Sequence, residues 1–95
     1  MNSKVLEFIT TIRDSFEGSE VVYTQGACYH FYLILKCLFF DAVAWYDGIE
    51  GHVYTEIEGR FYDIRGEHKK GNWYLLSSEP RIEREARGWM YKMKI

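Results

Sequence analysis

Gly51-His52-Val53-Tyr54-Thr55-Glu56-Ile57-Glu58-Gly59-Arg60-Phe61-Tyr62-Asp63-Ile64-Arg65-Gly66 is the stretch on which the fold turns. Two runs rich in β-branched and aromatic residues, 52–57 and 60–65, flank Glu58-Gly59. That pattern predicts two antiparallel strands joined by a two-residue turn. The turn pairs Ile57 with Arg60, Tyr54 with Asp63 and His52 with Arg65. Side chains alternate along a strand, so His52, Tyr54, Glu56, Phe61, Asp63 and Arg65 share one face. Val53, Thr55, Ile57, Tyr62 and Ile64 take the other. His52 and Asp63 become diagonal neighbours, roughly 7 Å apart at the backbone, a span that two medium side chains close. A slip of one residue at the turn would separate them.

Upstream lies the most apolar part of the chain, Ala27-Cys28-Tyr29-His30-Phe31-Tyr32-Leu33-Ile34-Leu35-Lys36-Cys37-Leu38-Phe39-Phe40. It predicts a helix that is apolar around most of its circumference and therefore central and buried. Cys28, Phe31, Tyr32, Leu35 and Phe39 fall on one stripe, with Cys28 in the first turn and Asp41 closing the helix. Further upstream, Ser3 is a candidate N-cap. Val5, Phe8, Ile9, Ile12 and Phe16 follow at helical spacing, giving an amphipathic helix over about 3–16. Glu17-Gly18-Ser19 ends it, and residues 21–24 (Val-Val-Tyr-Thr) favour a short extended piece.

Between the central helix and the hairpin, residues 42–46 read as a strand and 47–51 as a loop. Downstream, 66–72 is a polar loop and Trp73–Leu76 a candidate strand. Pro80 suits the first turn of a last helix, with Ile82, Ala86, Trp89 or Met90, and Met93 on its apolar side. The expected fold is therefore α+β: one domain over 1–95, its central buried helix packed on a small antiparallel sheet.

Composition bounds the function. The chain has 95 residues, 47% hydrophobic and 18% aromatic, with one Pro and 27% charged residues, which fits a folded domain with one core. Net charge is −2, so no global field draws the protein to nucleic acid, and the aromatics are not interleaved with bases as an RNA-binding sheet requires. Arg81, Arg84, Arg87, Lys92 and Lys94 concentrate basic charge near the end, where a solvated helix face explains them better than a binding stripe. No export signal is evident at the start. The apolar stretch 27–40 is too short and polar to cross a bilayer. Cys28 and Cys37, nine positions apart on one helix, lie about 13 Å apart on opposite faces, outside disulfide reach. Free thiols without an export signal predict a cytoplasmic protein. Cys28, His30, Cys37, His52 and His68 show no ligand spacing that a metal would use, so no metal or cofactor is expected. His68, in Glu67-His68-Lys69-Lys70, reads as solvated. A homo-oligomer formed through aromatic surface is compatible with this composition.

Three of these residues combine chemically. A thiol in the first turn of a helix sits at the positive end of the macrodipole, which favours thiolate. A carboxylate at Asp63 can fix the tautomer of His52 and support its charged form. Gln25 and the backbone N–H groups around Cys28 can donate to a developing oxyanion, and Gly26 permits close approach. Each residue also has a plainer role: Cys28 as a core thiol, His52 as the start of a strand, Asp63 as the partner of Arg65 or Arg60.

The segments QGACYHFYLILK and GHVYTEIEGRFYDIRG together resemble the papain-like superfamily, in which a Cys begins the central helix and His and Asp follow on adjacent strands. The stretch His52-x-Tyr54 with Gly59 and Tyr62-Asp63 is most similar to the transglutaminase-like branch. The resemblance spans about 25–66. It implies a thiol hydrolase or acyltransferase with Cys28 as nucleophile, His52 as base, Asp63 as orienting acid and Gln25 at the oxyanion, acting on a protein or peptide. The Cys–His separation is short for the superfamily, and Tyr54 and Tyr62 stand where Trp is common. Those departures admit a second expectation: a catalytically silent module on the same scaffold that binds a protein partner, as a phage inhibitor of a host complex would.

Overall fold

The computed structural model describes residues 3–24 and 26–89. Three helices come first: α1 (Ser3–Asp14), α2 (Ser19–Thr24) and α3 (Cys28–Leu38). Then follow β1 (Val43–Asp47), β2 (His52–Ile57), β3 (Arg60–Asp63), β4 (Gly66–His68) and β5 (Tyr74–Leu75). A 3₁₀ turn (Leu76–Ser78) and α4 (Pro80–Ala86) complete the order. The strands form one antiparallel sheet in the order β4-β3-β2-β1-β5. No helix among the described residues is long and apolar enough to cross a membrane.

The hairpin has the expected register: Ile57 faces Arg60, Glu56 faces Phe61 and Thr55 faces Tyr62. Glu58 and Gly59 both have positive φ (53° and 80°), the backbone of a type I′ turn, whose twist matches that of the flanking strands. Ile57, Tyr62 and Ile64 then bury against Val5 and Ile9 of α1 and Phe31 and Leu35 of α3. Fully burying side chains of this size contributes about 1.5–3 kcal/mol each.

Four expectations need correction. Residues 21–24 are helical, as part of α2, because Tyr23 packs its ring against Phe31 and Phe16, at 5.5 and 6.2 Å between centroids. That tertiary contact overrides the β propensity of the two valines. The polar stretch 66–72 contains a strand, β4, whose register places Gly66 opposite Asp63 and His68 opposite Phe61. The helix α3 stops at Leu38, short of Asp41. Lys36 Nζ donates to the carbonyls of Phe40 (2.8 Å) and Ala42 (2.9 Å), tying the helix end to the start of β1. Finally, α3 is buried on one side only, with Leu33, Cys37 and Leu38 exposed. In a two-layer domain of this size a helix has one sheet to cover, so half its apolar circumference stays at the surface.

At the far end, α4 starts at Pro80 as expected and ends at Ala86, ahead of Trp89. Met90, Met93, Lys92 and Lys94, expected on or near this helix, lie outside the described residues.

Candidate functional site

Gly26 has φ +136°, a conformation that L side chains rarely adopt, and it turns the chain from α2 into α3. Ala27 caps the new helix and accepts the first helical bond from Phe31 N–H at 3.0 Å. Cys28 is thus the first residue of α3. Its side chain packs with Tyr29, Ala44, Val53, Leu76 and Ala86, and Sγ accepts the Val53 N–H at 3.3 Å.

That last bond brings the thiol to the beginning of β2, where Val53 follows His52. The imidazole lies near enough to the Cys28 thiol on one side to interact with it. On the other, His52 Nε2 meets Asp63 Oδ2 at 3.1 Å. With Nε2 engaged by the carboxylate, Nδ1 is the ring nitrogen left for sulfur. Cys28, His52 and Asp63 therefore form a continuous chain of contacts drawn from α3, β2 and β3. Their fractional exposures are 3%, 4% and 1%.

Asp63 is more heavily bonded than a triad requires. Oδ2 also accepts from Arg65 Nε at 2.8 Å and Nη2 at 2.5 Å. Oδ1 accepts the Arg65 backbone N–H at 2.7 Å and faces His68 Nε2, also at 2.7 Å. Expectation offered Arg65 as an alternative to His52 for this carboxylate; the structure gives Asp63 both. Arg60 is not a partner: it pairs with Glu67 at 3.0 Å. His68, expected in solvent, is half-buried against Asp63 because β4 folds back beside β3. The chain turns tightly at Ile64-Arg65, which puts His68 on the face of Phe61 and Asp63.

An aromatic stack roofs the site. The Tyr54 ring stands edge-on to His52 with centroids 4.6 Å apart, and Trp73 stacks flat on Tyr54 at 3.9 Å and 7°. Phe61 and His68 close the stack from the sides. Trp73 does this from just before β5 rather than from within a strand. The arrangement removes water from the imidazole while Nε2 stays bonded to Asp63.

These contacts set the charges. Burial pushes His52 toward the neutral form, but the interactions with Asp63 and Cys28 outweigh it and raise its pKa to about 9. Burial likewise pushes Asp63 up, yet the bonds from His52, Arg65 and His68 win and hold the carboxyl below its ordinary range. A neutral imidazole beside a thiol, with a carboxylate behind it, can take up the sulfur's proton, and the imidazolium so formed can return it. Gln25, expected at the oxyanion, lies outside the described residues. Among the described residues no three His, Cys, Asp or Glu side chains are grouped to hold a metal ion.

Compared with known protein families, residues 5–94 match the Phage YunG-like proteins, and the chain belongs to that family. No curated protein and no solved structure matches it.

Proposed function

We propose that this member of the Phage YunG-like family is a small cytoplasmic thiol hydrolase or acyltransferase with a papain-like, transglutaminase-like core. The observation that carries the reading is the position of His52, in contact with Cys28 on one side and with Asp63 on the other. In this reading Cys28 Sγ attacks the carbonyl carbon of an amide or ester. His52 holds the thiol proton and passes it to the departing amine or alcohol, leaving a thioester on Cys28. Water or an acceptor amine then attacks the thioester carbonyl and gives a proton to His52, which passes it to the sulfur as the carbon–sulfur bond breaks and the acid or new amide departs. Asp63 keeps the imidazole oriented throughout, and the backbone N–H groups at the start of α3 donate to the oxyanion, a role the sequence also assigns to Gln25.

A groove of about 400 Å³, lined by the residue that follows Cys28 but not by Cys28, His52 or Asp63 themselves, offers room for part of a peptide or protein substrate. Its walls include Tyr29, next in sequence to Cys28, with Tyr32 and Leu33, and its floor includes Ala44. Apolar walls with a few charged groups, here Lys36, Glu83 and Arg87, suit a side chain flanking a scissile carbonyl.

Burial favours a second reading, the catalytically silent module that binds a protein partner. A sulfur 3% exposed must be uncovered before any substrate reaches it. One experiment separates the two. If the enzyme reading holds, iodoacetamide at neutral pH should label buried Cys28 faster than exposed Cys37, because only Cys28 has a neighbouring base to take its proton. Labelling of Cys37 alone, with Cys28 protected until the protein unfolds, would sink the enzyme reading and leave the binding module.

A further inference from the structure

Two groups share one oxygen of Asp63. Oδ2 faces His52 Nε2 at 3.1 Å and accepts both Arg65 Nε at 2.8 Å and Arg65 Nη2 at 2.5 Å. The guanidinium makes the shorter contacts, two against one, to the oxygen that supports the imidazole. Arg65 reaches in from the β3–β4 turn, and its guanidinium lies near Tyr54, the ring that stands edge-on to His52. The side chain is partly exposed while the carboxylate is buried, so a permanent cation at the rim is clamped onto a buried anion. We propose that Arg65 is a positioning residue of this site: by sharing Oδ2 of Asp63 with His52, it limits the carboxylate's hold on the imidazole and keeps that proton available for transfer.

The physical argument is one of competition. A carboxylate bonded only to His52 would place its full charge against the imidazolium and hold the proton tightly. A proton donor so held is a poor acid toward a leaving amine at neutral pH. Arg65 is always protonated, so its claim on Oδ2 does not vary with pH, and its planar fork fixes the carboxylate as well as diluting it. His68 occupies the opposite oxygen together with the Arg65 backbone N–H, which prevents Asp63 from rotating to relieve the competition. The other ionisable groups around His52 are Cys28 from α3 and Tyr54 from β2. Asp47 lies opposite His52 on β1, its Oδ1 accepting the backbone N–H groups of Ile49 and Glu50. Among the side chains paired with Asp63, Arg65 is the one whose charge does not depend on pH.

The inference rests on the thiol reading for its catalytic consequence, but its geometry is read at His52 directly. Titration of the His52 ring by NMR in the full-length protein, with Cys37 changed to Ser, provides the measurement. Arg65→Gln should move the His52 midpoint upward by about one pH unit, while Arg65→Lys, which keeps the charge, should stay near the parent. The pH profile of Cys28 alkylation should move in the same direction in Arg65→Gln. A midpoint that is unchanged or lower in folded Arg65→Gln would overturn the proposal. Should Arg65→Gln not fold, Arg65→Met in a His68→Gln background replaces it, with the same upward shift expected and its absence equally decisive. Failure of the thiol reading has a different signature: in the chain that keeps Cys37, Cys28 is alkylated no faster than Cys37, while the His52 shift stays intact.

Discussion

The two faces of the β2–β3 hairpin hold the protein together by different physics. Toward the helices, Val53, Ile57, Tyr62 and Ile64 bury aliphatic and aromatic surface against α1 and α3. Toward the aromatic roof, the same strands present His52, Tyr54, Glu56, Phe61 and Asp63, where an ionised pair sits under a ring stack. The first face tolerates any side chain of the right size and shape; the second works only when every donor finds its acceptor. One strand period therefore separates a face that supplies stability from a face that supplies a defined proton position.

Removing a carboxylate charge should break this comparison most visibly. Asp63→Asn leaves an imidazole and a guanidinium facing a neutral amide in a buried place. A loss of about 3–5 kcal/mol in a urea titration is expected, together with slower alkylation of Cys28. Ile57→Ala on the opposite face should cost a comparable 2–5 kcal/mol or so, yet leave the alkylation rate of the folded protein alone. Equal slowing in both variants would mean that the faces are not distinct.

The next effect is on pH. His52 is raised from 6.5 to about 9 on folding, so its contribution to stability is complete below about pH 6.5 and is lost as the pH climbs through 9. Each pH unit of that interval is worth about 1.4 kcal/mol, which sets a ceiling of about 3 kcal/mol. Asp63 is lowered from 3.8, so its contribution is complete above that value and is lost on acidification. Melting temperature should accordingly peak between about pH 4 and 6.5 and fall on the alkaline side. His52→Gln should flatten the alkaline fall; a fall that persists in that variant would place the titrating group elsewhere.

The smallest effect belongs to the helix-facing side. Among the described residues the Tyr62 hydroxyl is buried with no hydrogen-bond partner. Tyr62→Phe should leave the midpoint of unfolding unchanged or raise the stability by about 1 kcal/mol, since it removes an unsatisfied polar atom and keeps the ring. A loss of more than that would show that the hydroxyl has a partner after all.

What could be read from the residues follows the range of the forces involved. The hairpin register was legible because Glu58-Gly59 demands a turn that only one pairing satisfies, and with it came the meeting of His52 and Asp63. Cys28 was legible as the start of a helix. Its contact with Val53 N–H was not, because it depends on how α3 lies across the sheet. α2 was misread because Val21 and Val22 favour strands locally, while the packing of Tyr23 on Phe31 decides the outcome at a distance. His68 was missed since Gly66-Glu67-His68 carries no apolar periodicity; β4 exists because its backbone completes the edge of β3.

The meander has a further consequence, for how the molecule opens. Four consecutive strands pair with their sequence neighbours, so His52 and Asp63 are joined across 11 residues, by way of one tight turn. Cys28 reaches Val53 across 25 residues, through a separate helix. A local fluctuation that lifts the first turn of α3 exposes the sulfur and leaves the imidazole and carboxylate paired on the sheet. The reverse motion must first unzip the hairpin. Uncovering of the thiol and survival of the imidazole–carboxylate pair are therefore governed by separate cooperative units, and the first can occur without the second being lost.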